Sequence, residues 1–156
     1  MGASRLAPSK LEYVSSLSDL FKKHGKASNA DIEWLHLLLS DWQLVADLVF
    51  ADLVLWIPTS DGSFVAAGHA RPSSAATIFF RVISGEPIRK EWAGPVTKAF
   101  NSGLSQHLGA PDTYDGLLTR FSAIPIRRRV SNKSDEVVES PIAVVTRHTN
   151  LAEAKA

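Results

Sequence analysis

The sequence contains no cysteine among its 156 residues, which excludes disulfide bonds, thiolate metal sites and a cysteine nucleophile. It also lacks a charge excess, and a net charge of +1 gives no reason to expect a polyanionic partner. No apolar run reaches the roughly 20 residues that a membrane-spanning helix needs, since Asp47 and Asp52 interrupt the longest candidate, residues 44–58. The amino-terminal residues show no signal-peptide hydrophobic region. We therefore expect a cytoplasmic protein without a membrane contact.

Motifs of catalysis and nucleotide binding are also absent. The sequence has no Gly-x-Ser-x-Gly, no P-loop and no His-Glu-x-x-His. Its five histidines include no pair one helical turn apart, so their spacing predicts no metal site. The basic run at residues 127–129 has no interleaved aromatic residues, and strand alternation places Arg128 opposite its neighbours. We interpret this run as a solvated hairpin and expect neither an active site nor direct nucleic-acid binding.

A helix is predicted over residues 28–49, where apolar residues recur at three- and four-residue spacing. Ser28 and Asp31 form a candidate capping box at its start. Trp34 and Leu37 lie off the main apolar stripe. Two interpretations stay open for them: a helix–helix contact in a dimer, or burial by a short helix predicted at residues 17–25.

The remaining pattern predicts strands with one further helix. A hairpin is expected from residues 53–58 and 64–69 around an Asp-Gly turn, followed by a third strand at residues 77–82. A short helix at residues 92–100 ends at Gly103, and residues 104–115 are predicted to be a mobile loop. A second hairpin pairs residues 121–130 with 137–146. This order predicts an α+β fold, a GAF/PAS-like antiparallel sheet with flanking helices.

Three segments resemble a known family. The segments are WQLVADLVFADLVLW at residues 42–56, ARPSSAAT at residues 70–77 and AVVTRHTNL at residues 143–151. They are similar to the amino-terminal GAF domain of actinobacterial PdtaS-type two-component sensor histidine kinases. The resemblance implies a frayed terminus at residues 1–14, a GAF-type sensor domain at residues 15–150, and the start of a connector at residues 151–156. The sequence departs from the family at Ala75 and Ala76, where members often have Gly-Pro, and in a longer loop at residues 131–139.

The resemblance also implies a function for the whole protein. A PAS domain and an ATP-using kinase core would follow this domain, and phosphate would pass to a response regulator with an RNA-binding ANTAR output domain. The chain would then be a signal-input domain in a homodimer, not itself an enzyme. Two alternatives are a GAF module that binds no ligand and serves dimerisation, and a small free-standing enzyme.

A ligand pocket is expected between the sheet and the loops that cross one of its faces, as in GAF folds. The ligand is unknown and no cofactor is assigned to this chain. Arginine is included among the candidate pocket residues because its planar guanidinium pairs well with a buried anion. Aromatic residues are included as candidates for the apolar walls of the pocket. His148 is assigned to the connector or strand end and not to a phosphoacceptor site, because no ATP lid accompanies it. His69 and His107 are weaker candidates for a haem ligand, and Tyr114 and Arg147 are further candidates for ligand contact. The pocket is predicted to contain His69, Arg71, Thr77, Phe79, Trp92 and Arg120.

Overall fold

The apolar stripe before the first strand folds as two helices, whereas the sequence predicted one. In the computed structural model, which describes residues 19–20, 28–108 and 111–152, helix α1 spans Asn29–Ser40 and helix α2 spans Trp42–Val49. The break lies at Asp41, whose φ of −106° and ψ of 12° are not helical. Short polar side chains compete for backbone hydrogen bonds, and the Ser40 hydroxyl donates to the Leu37 carbonyl at 2.7 Å. The break therefore follows from local polar chemistry that apolar spacing does not reveal.

The predicted capping box forms at the start of α1. Ser28 Oγ accepts a hydrogen bond from the backbone N–H of Asp31 at 3.2 Å, and the Asp31 carboxylate accepts one from the backbone N–H of Ser28 at 3.2 Å. Two of the N–H groups that a helix start leaves unpaired are thereby satisfied.

Six antiparallel strands form one sheet behind these helices in the described part of the chain. The order across the sheet is β2-β1-β6-β5-β3, and the short β4 also pairs with β5. Strand β6 lies between β1 and β5 and is hydrogen-bonded on both sides. Helix α3, Lys90–Ser102, connects the β1–β2 hairpin region to the rest of the sheet and ends at Gly103 in the left-handed conformation, as predicted. The strands are β1 Asp52–Pro58, β2 Phe64–Ala70, β3 Gln106–His107, β4 Asp112–Tyr114, β5 Leu117–Ser131 and β6 Val137–Asn150.

Two expectations about the middle of the chain are wrong. Residues 77–82 form no strand, because side chains bind backbone N–H groups that a strand would pair: Ile78 donates to the Asp52 carboxylate and Phe79 donates to the Thr77 hydroxyl. Residues 104–115, predicted as a loop, contain β3 and β4. Both hairpins are confirmed, although β5 and β6 are longer than predicted.

A hydrophobic cluster packs on each face of the sheet. On one face, α1 and α2 cover a cluster that includes Leu35, Trp42 and Leu55. On the other, α3 and residues 71–89 cover a cluster that includes Trp56, Trp92 and Phe121. Each face is therefore covered by a different part of the chain, and the predicted pocket belongs to the second face.

Several predictions fall wholly or partly outside the described residues. Of the helix predicted at residues 17–25, the structure describes Asp19 and Leu20, which are helical. The predicted frayed terminus at residues 1–14 lies outside, as do residues 153–156 of the predicted connector. Leu151 and Ala152 leave β6 in a 3₁₀ turn. Among the described residues, no helix has the length and apolar character required to cross a bilayer.

Candidate functional site

Aromatic side chains fill the space between α3 and the sheet. We call this group the aromatic cluster; it consists of Phe79, Trp92, Tyr114, Phe121 and His148. Trp92, in the first turn of α3, lies at its centre. The ring centroids of the other four residues lie 4.6 Å (His148), 5.5 Å (Tyr114), 6.0 Å (Phe79) and 6.1 Å (Phe121) from that of Trp92. These are contact distances for packed rings, so the rings occupy this part of the expected pocket themselves.

The guanidinium of Arg89 closes the outer side of the aromatic cluster. Its central carbon lies 4.9 Å from the Trp92 ring centroid and 5.0 Å from that of Tyr114, within cation–π range of both. Burial raises the pKa of Tyr114, so its phenol remains protonated at neutral pH. Arg89 is thus a fixed positive charge beside an otherwise apolar group of rings.

His148 lies inside β6 and is almost completely buried, with 1% of its surface exposed. Its Nε2 lies 2.7 Å from Thr146 Oγ1, and the same oxygen accepts a hydrogen bond from Trp56 Nε1 at 2.7 Å. Burial lowers the pKa of His148 to about 3, with smaller contributions from His69 and Arg89. The imidazole is therefore neutral at physiological pH. The prediction that His148 follows the strand is wrong, because the residue is part of the core.

A second polar network joins β1, β2 and residues 71–89. His69 Nε2 lies 2.9 Å from Asp52 Oδ2, and the side chains of both residues are fully enclosed. The backbone N–H of Ile83 donates to His69 Nδ1 at 3.1 Å, so Nδ1 carries no proton and Nε2 donates to Asp52. The hydroxyl of Thr77 donates to Asp52 at 2.7 Å, and the Ile78 N–H donates at 3.1 Å. The Asp52 carboxylate therefore anchors the segment that covers this face.

The structure brings together four of the six predicted pocket residues. His69 and Thr77 meet at Asp52, while Phe79 contacts both His69, at a centroid distance of 4.6 Å, and Trp92. Arg120 is not among them, because β5 alternates and places Arg120 on the opposite face between buried Thr119 and Phe121. Its assignment to the pocket was wrong.

Arg71 lies in the loop that follows β2 and has an unusual environment. Its Nε and Nη2 atoms are enclosed, and no described residue supplies an acceptor for them. Its carbonyl accepts a hydrogen bond from Gln43 Nε2 at 2.6 Å, which ties the loop to α2. A guanidinium remains charged at any physiological pH, and enclosed N–H groups without an acceptor are costly. Arg71 therefore has two nitrogen atoms, Nε and Nη2, whose N–H groups are available to a small acceptor.

The two other candidates lie away from the aromatic cluster. His107 is exposed, and its Nδ1 lies 2.9 Å from Ser122 Oγ on the face of the sheet that carries α1 and α2. Arg147 is exposed on the same face, where its Nη2 donates to the Val49 carbonyl at 3.5 Å. The sequence alone does not show on which face of the sheet His107 and Arg147 lie.

An open cleft of about 360 Å³ lies at the other end of the sheet, beside the β1–β2 turn and α1. None of the six predicted pocket residues lines it. Among the described residues, no group of three or more His, Asp or Glu side chains is arranged to hold a metal ion. The cleft is lined by Asp31, Pro58, Thr59, Ser60, Gly62, Phe100, Ser140, Pro141 and Ile142.

Sequence reasoning missed the polar residues that organise this face. From the sequence, Asp52 was noted only as an interruption of an apolar run, yet it is fully buried and binds three partners. The sequence signal that could have identified these residues is a polar side chain within an apolar strand. Thr146 and His148 show it, because they are two residues apart on β6 and therefore share a face of the sheet.

Comparisons with known proteins identify relatives of the chain. The family model described as "Histidine kinase PdtaS, GAF domain" matches residues 17–156. Sensor histidine kinase PdtaS of Mycolicibacterium smegmatis (strain ATCC 700084 / mc(2)155) is 30% identical over 144 residues, which are 90% of this chain and 27% of that protein. Sensor histidine kinase PdtaS of Mycobacterium tuberculosis (strain CDC 1551 / Oshkosh) is 30% identical over 140 residues, covering 86% and 26% respectively. The chain thus spans about a quarter of the length of these curated relatives.

A solved structure supports the fold. The sensor region of a sensor histidine kinase aligns with a TM-score of 0.62 at 23% identity, over 90% of this chain and 44% of that one. The predicted α+β, GAF-like architecture is confirmed by this likeness and by the antiparallel sheet with its helices.

Proposed function

Because the chain belongs to the family of PdtaS GAF domains, we propose that it is the signal-input domain of a cytoplasmic two-component histidine kinase. In this role it regulates autophosphorylation of an ATP-using kinase core elsewhere in the full-length protein, with a PAS domain between them. The phosphate then passes to a response regulator with an RNA-binding ANTAR output domain. The relatives are sensor histidine kinases, and this chain corresponds to their sensor part, so the isolated chain is expected to show no turnover.

The observation that carries the proposal is the route by which the chain leaves the domain. Strand β6 is the central strand, it holds His148 in the aromatic cluster, and it leads directly to Leu151. Near its end, Asn150 Nδ2 donates to the Thr77 carbonyl at 3.5 Å. A change in the packing of residues 71–89 therefore acts on the strand that precedes the next domain. A ligand or neighbour shifts such an equilibrium only by its differential affinity for the two packings.

The experiment combines a change inside the domain with a change at its exit. In the full-length protein, Asp52→Asn should alter the autophosphorylation rate, because it weakens the anchor of residues 71–89. Inserting two residues after Leu151 should abolish that effect, since it breaks the register of the connector. A matched control inserts the same two residues in the turn at residues 132–135, away from the exit. An Asp52→Asn effect of equal size with and without the Leu151 insertion would contradict transmission through β6.

A ligand, if the domain takes one, is proposed to be a small anion that contacts Arg71 together with the His69, Thr77, Phe79 and Trp92 side of the pocket. The two enclosed guanidinium nitrogens of Arg71, Nε and Nη2, support this choice. Native mass spectrometry and absorbance on freshly purified chain would detect a co-purifying molecule, and Arg71→Gln should abolish its retention. Haem is a poor candidate at His69, because both of its ring nitrogens already have partners.

A second candidate function is dimerisation without a ligand. The packed aromatic cluster favours it, and so does the exposure of Trp34 and Leu37, whose side chains are 41% and 71% exposed. A chain that is dimeric in solution and carries no co-purifying molecule would favour this function over ligand sensing.

A further inference from the structure

Arg71 turns one edge of its guanidinium into the protein. The enclosed atoms for which no described residue supplies an acceptor are Nε and Nη2. In a planar guanidinium the N–H of Nε and one N–H of Nη2 point in the same direction, so together they bind two oxygen atoms of one ligand side by side. We call this pair of donors the Arg71 fork. Its shape selects a ligand that offers two oxygen atoms in one plane.

The loop that carries Arg71 is held against α2 by hydrogen bonds. Gln43 Nε2 donates to the Arg71 carbonyl at 2.6 Å. Asp47 Oδ1 accepts from the backbone N–H of Ser73 at 2.6 Å, and the Asp47 carbonyl accepts from Ser74 Oγ at 2.6 Å. The Asp47 carboxylate also accepts from Gln43 Nε2 at 3.1 Å, so its partners are uncharged donors and the Arg71 fork is not among them. Because the loop backbone is already fixed, a ligand that binds the fork orders few further groups.

The charges of this face favour a ligand with a single negative charge. Arg71 supplies one positive charge, whereas the Arg89 guanidinium already forms an ion pair with Glu91 at 2.8 Å. Asp52 contributes a buried carboxylate whose hydrogen-bond donors are uncharged. A phosphate carries about 1.5 to 2 negative charges at pH 7, so part of its charge would stay uncompensated in an enclosed site, which is costly. A carboxylate carries one charge and has two oxygen atoms in one plane.

The packed rings limit the size of the ligand. The four rings around Trp92 have centroids 4.6 Å to 6.1 Å from its own, which are contact distances. A ligand with several rings would have to displace them, whereas a carboxylate with a short aliphatic body would not. The open cleft of about 360 Å³ is not an alternative position, because Arg71 is not among its lining residues.

We propose that Arg71 binds a small monocarboxylate, with one carboxylate oxygen accepting from Nε and the other accepting from Nη2. The inference rests on the proposed function, which assigns an anionic ligand to Arg71, and it adds the chemical class of that ligand. The loop continues from Arg71 to Thr77, whose hydroxyl donates to Asp52 at 2.7 Å. A carboxylate on the Arg71 fork therefore acts on the segment, residues 71–89, that covers the aromatic cluster.

The first test titrates sodium formate and sodium acetate into the 156-residue chain and follows the NMR signal of the Arg71 Nε–H group, identified by triple-resonance assignment. Both carboxylates should shift this signal to saturation. Sodium chloride at the same ionic strength should shift it much less, because a single ion does not match two donors side by side. A signal that neither carboxylate moves overturns the proposal, since water then serves as the acceptor. An equal response to chloride overturns the choice of a carboxylate.

The second test measures the melting temperature, which a ligand that binds the folded chain raises. Arg71→Lys keeps the charge and removes the fork, so the same rise should need at least about 10-fold more acetate, as expected for the loss of one charge-assisted hydrogen bond. Arg120→Lys is the matched control, because it makes the same exchange at an exposed position. Equal responses of Arg71→Lys and the parent overturn the proposal, as does a larger rise with phosphate than with acetate. If Arg71→Lys does not fold, the NMR titration of the parent decides.

Two outcomes separate this inference from the proposed function. Acetate that binds the chain but leaves autophosphorylation of the full-length kinase unchanged refutes the signalling role of the ligand and leaves the carboxylate site standing. A full-length kinase that responds to Asp52→Asn, in a protein whose Arg71 signal no carboxylate moves, refutes the carboxylate site alone.

Discussion

Acidification should destabilise the fold through one buried residue, His148. Its pKa is lowered from 6.5 to about 3 in the folded chain, chiefly by burial. Above pH 6.5 the imidazole is neutral in both the folded and the unfolded chain, so it contributes nothing to the pH dependence of stability. Between pH 6.5 and about 3 the unfolded chain takes up a proton that the folded chain does not, so the free energy of unfolding falls as the pH falls.

The expected magnitude follows from the two pKa values. Each pH unit within the window costs about 1.4 kcal/mol, so lowering the pH from about 7 to about 5 should cost roughly 2 kcal/mol from this residue. His148→Gln removes the titration and keeps a polar group beside Thr146. Its free energy of unfolding should therefore depend on pH less steeply than that of the parent by this amount, since all other titrating groups are common to both.

The assay is urea unfolding of both proteins at pH values from about 7 to about 5, within the window in which only unfolded His148 takes up a proton. Comparing the parent and the variant at each pH cancels the contribution of every titrating group that the two proteins share. Parallel curves for the two proteins would refute the reasoning, because they would mean that His148 gains its proton equally in the folded state. An NMR titration that places the His148 transition near its ordinary pKa of 6.5 would do the same.

Four other substitutions test the packing directly by urea unfolding. Asp52→Ala should cost about 3–5 kcal/mol, because His69 and its neighbours lose a buried acceptor; a loss below about 1 kcal/mol would mean that water replaces the carboxylate. Gly103→Ala should lower the free energy of unfolding by about 1–2 kcal/mol, because Gly103 has a φ of +71°. Gly94→Ala, at an open position inside α3, should raise the free energy of unfolding by up to about 1 kcal/mol. Changes of the same sign in the two variants would contradict this reasoning. Ser28→Ala should cost about 1 kcal/mol through loss of the cap, and no change would show that water caps α1 equally well.

Local signals were sufficient to predict much of the fold. The β1–β2 hairpin was predictable because Pro58 and the Asp61-Gly62 turn bound two apolar strands. Helix α3 was predictable from its apolar spacing and from Gly103, which adopts the left-handed conformation that ends it. In both cases the determinants lie within a few residues of one another.

The errors arose where distant residues decide the conformation. Residues 77–82 have the composition of a strand, but the carboxylate of Asp52, 26 residues before Ile78, binds the N–H group of Ile78. Composition cannot reveal such long-range side-chain acceptors. Arg120 was misplaced for a related reason, since its face depends on the register of β5 against β6.

The sequence predicted which residues converge at the candidate site better than it predicted how those residues pack. His69, Thr77, Phe79 and Trp92 converge as expected. Their packing could not be foreseen, because the order in which rings fill a face depends on the path of residues 71–89. The sequence therefore indicated which residues converge, and the structure shows that aromatic rings fill most of the space between them.

The central position of β6 has a mechanical consequence. Near its end, Arg147 and His148 are paired both to β1 and to β5, and the last two residues, Thr149 and Asn150, are paired to β5. A force applied to the chain at Leu151 acts on the hydrogen bonds of β6 with both β1 and β5. An edge strand, which is hydrogen-bonded on one side, can be peeled away more easily than this central strand. The end of β6 therefore resists extension more stiffly than it would if β6 lay at an edge of the sheet.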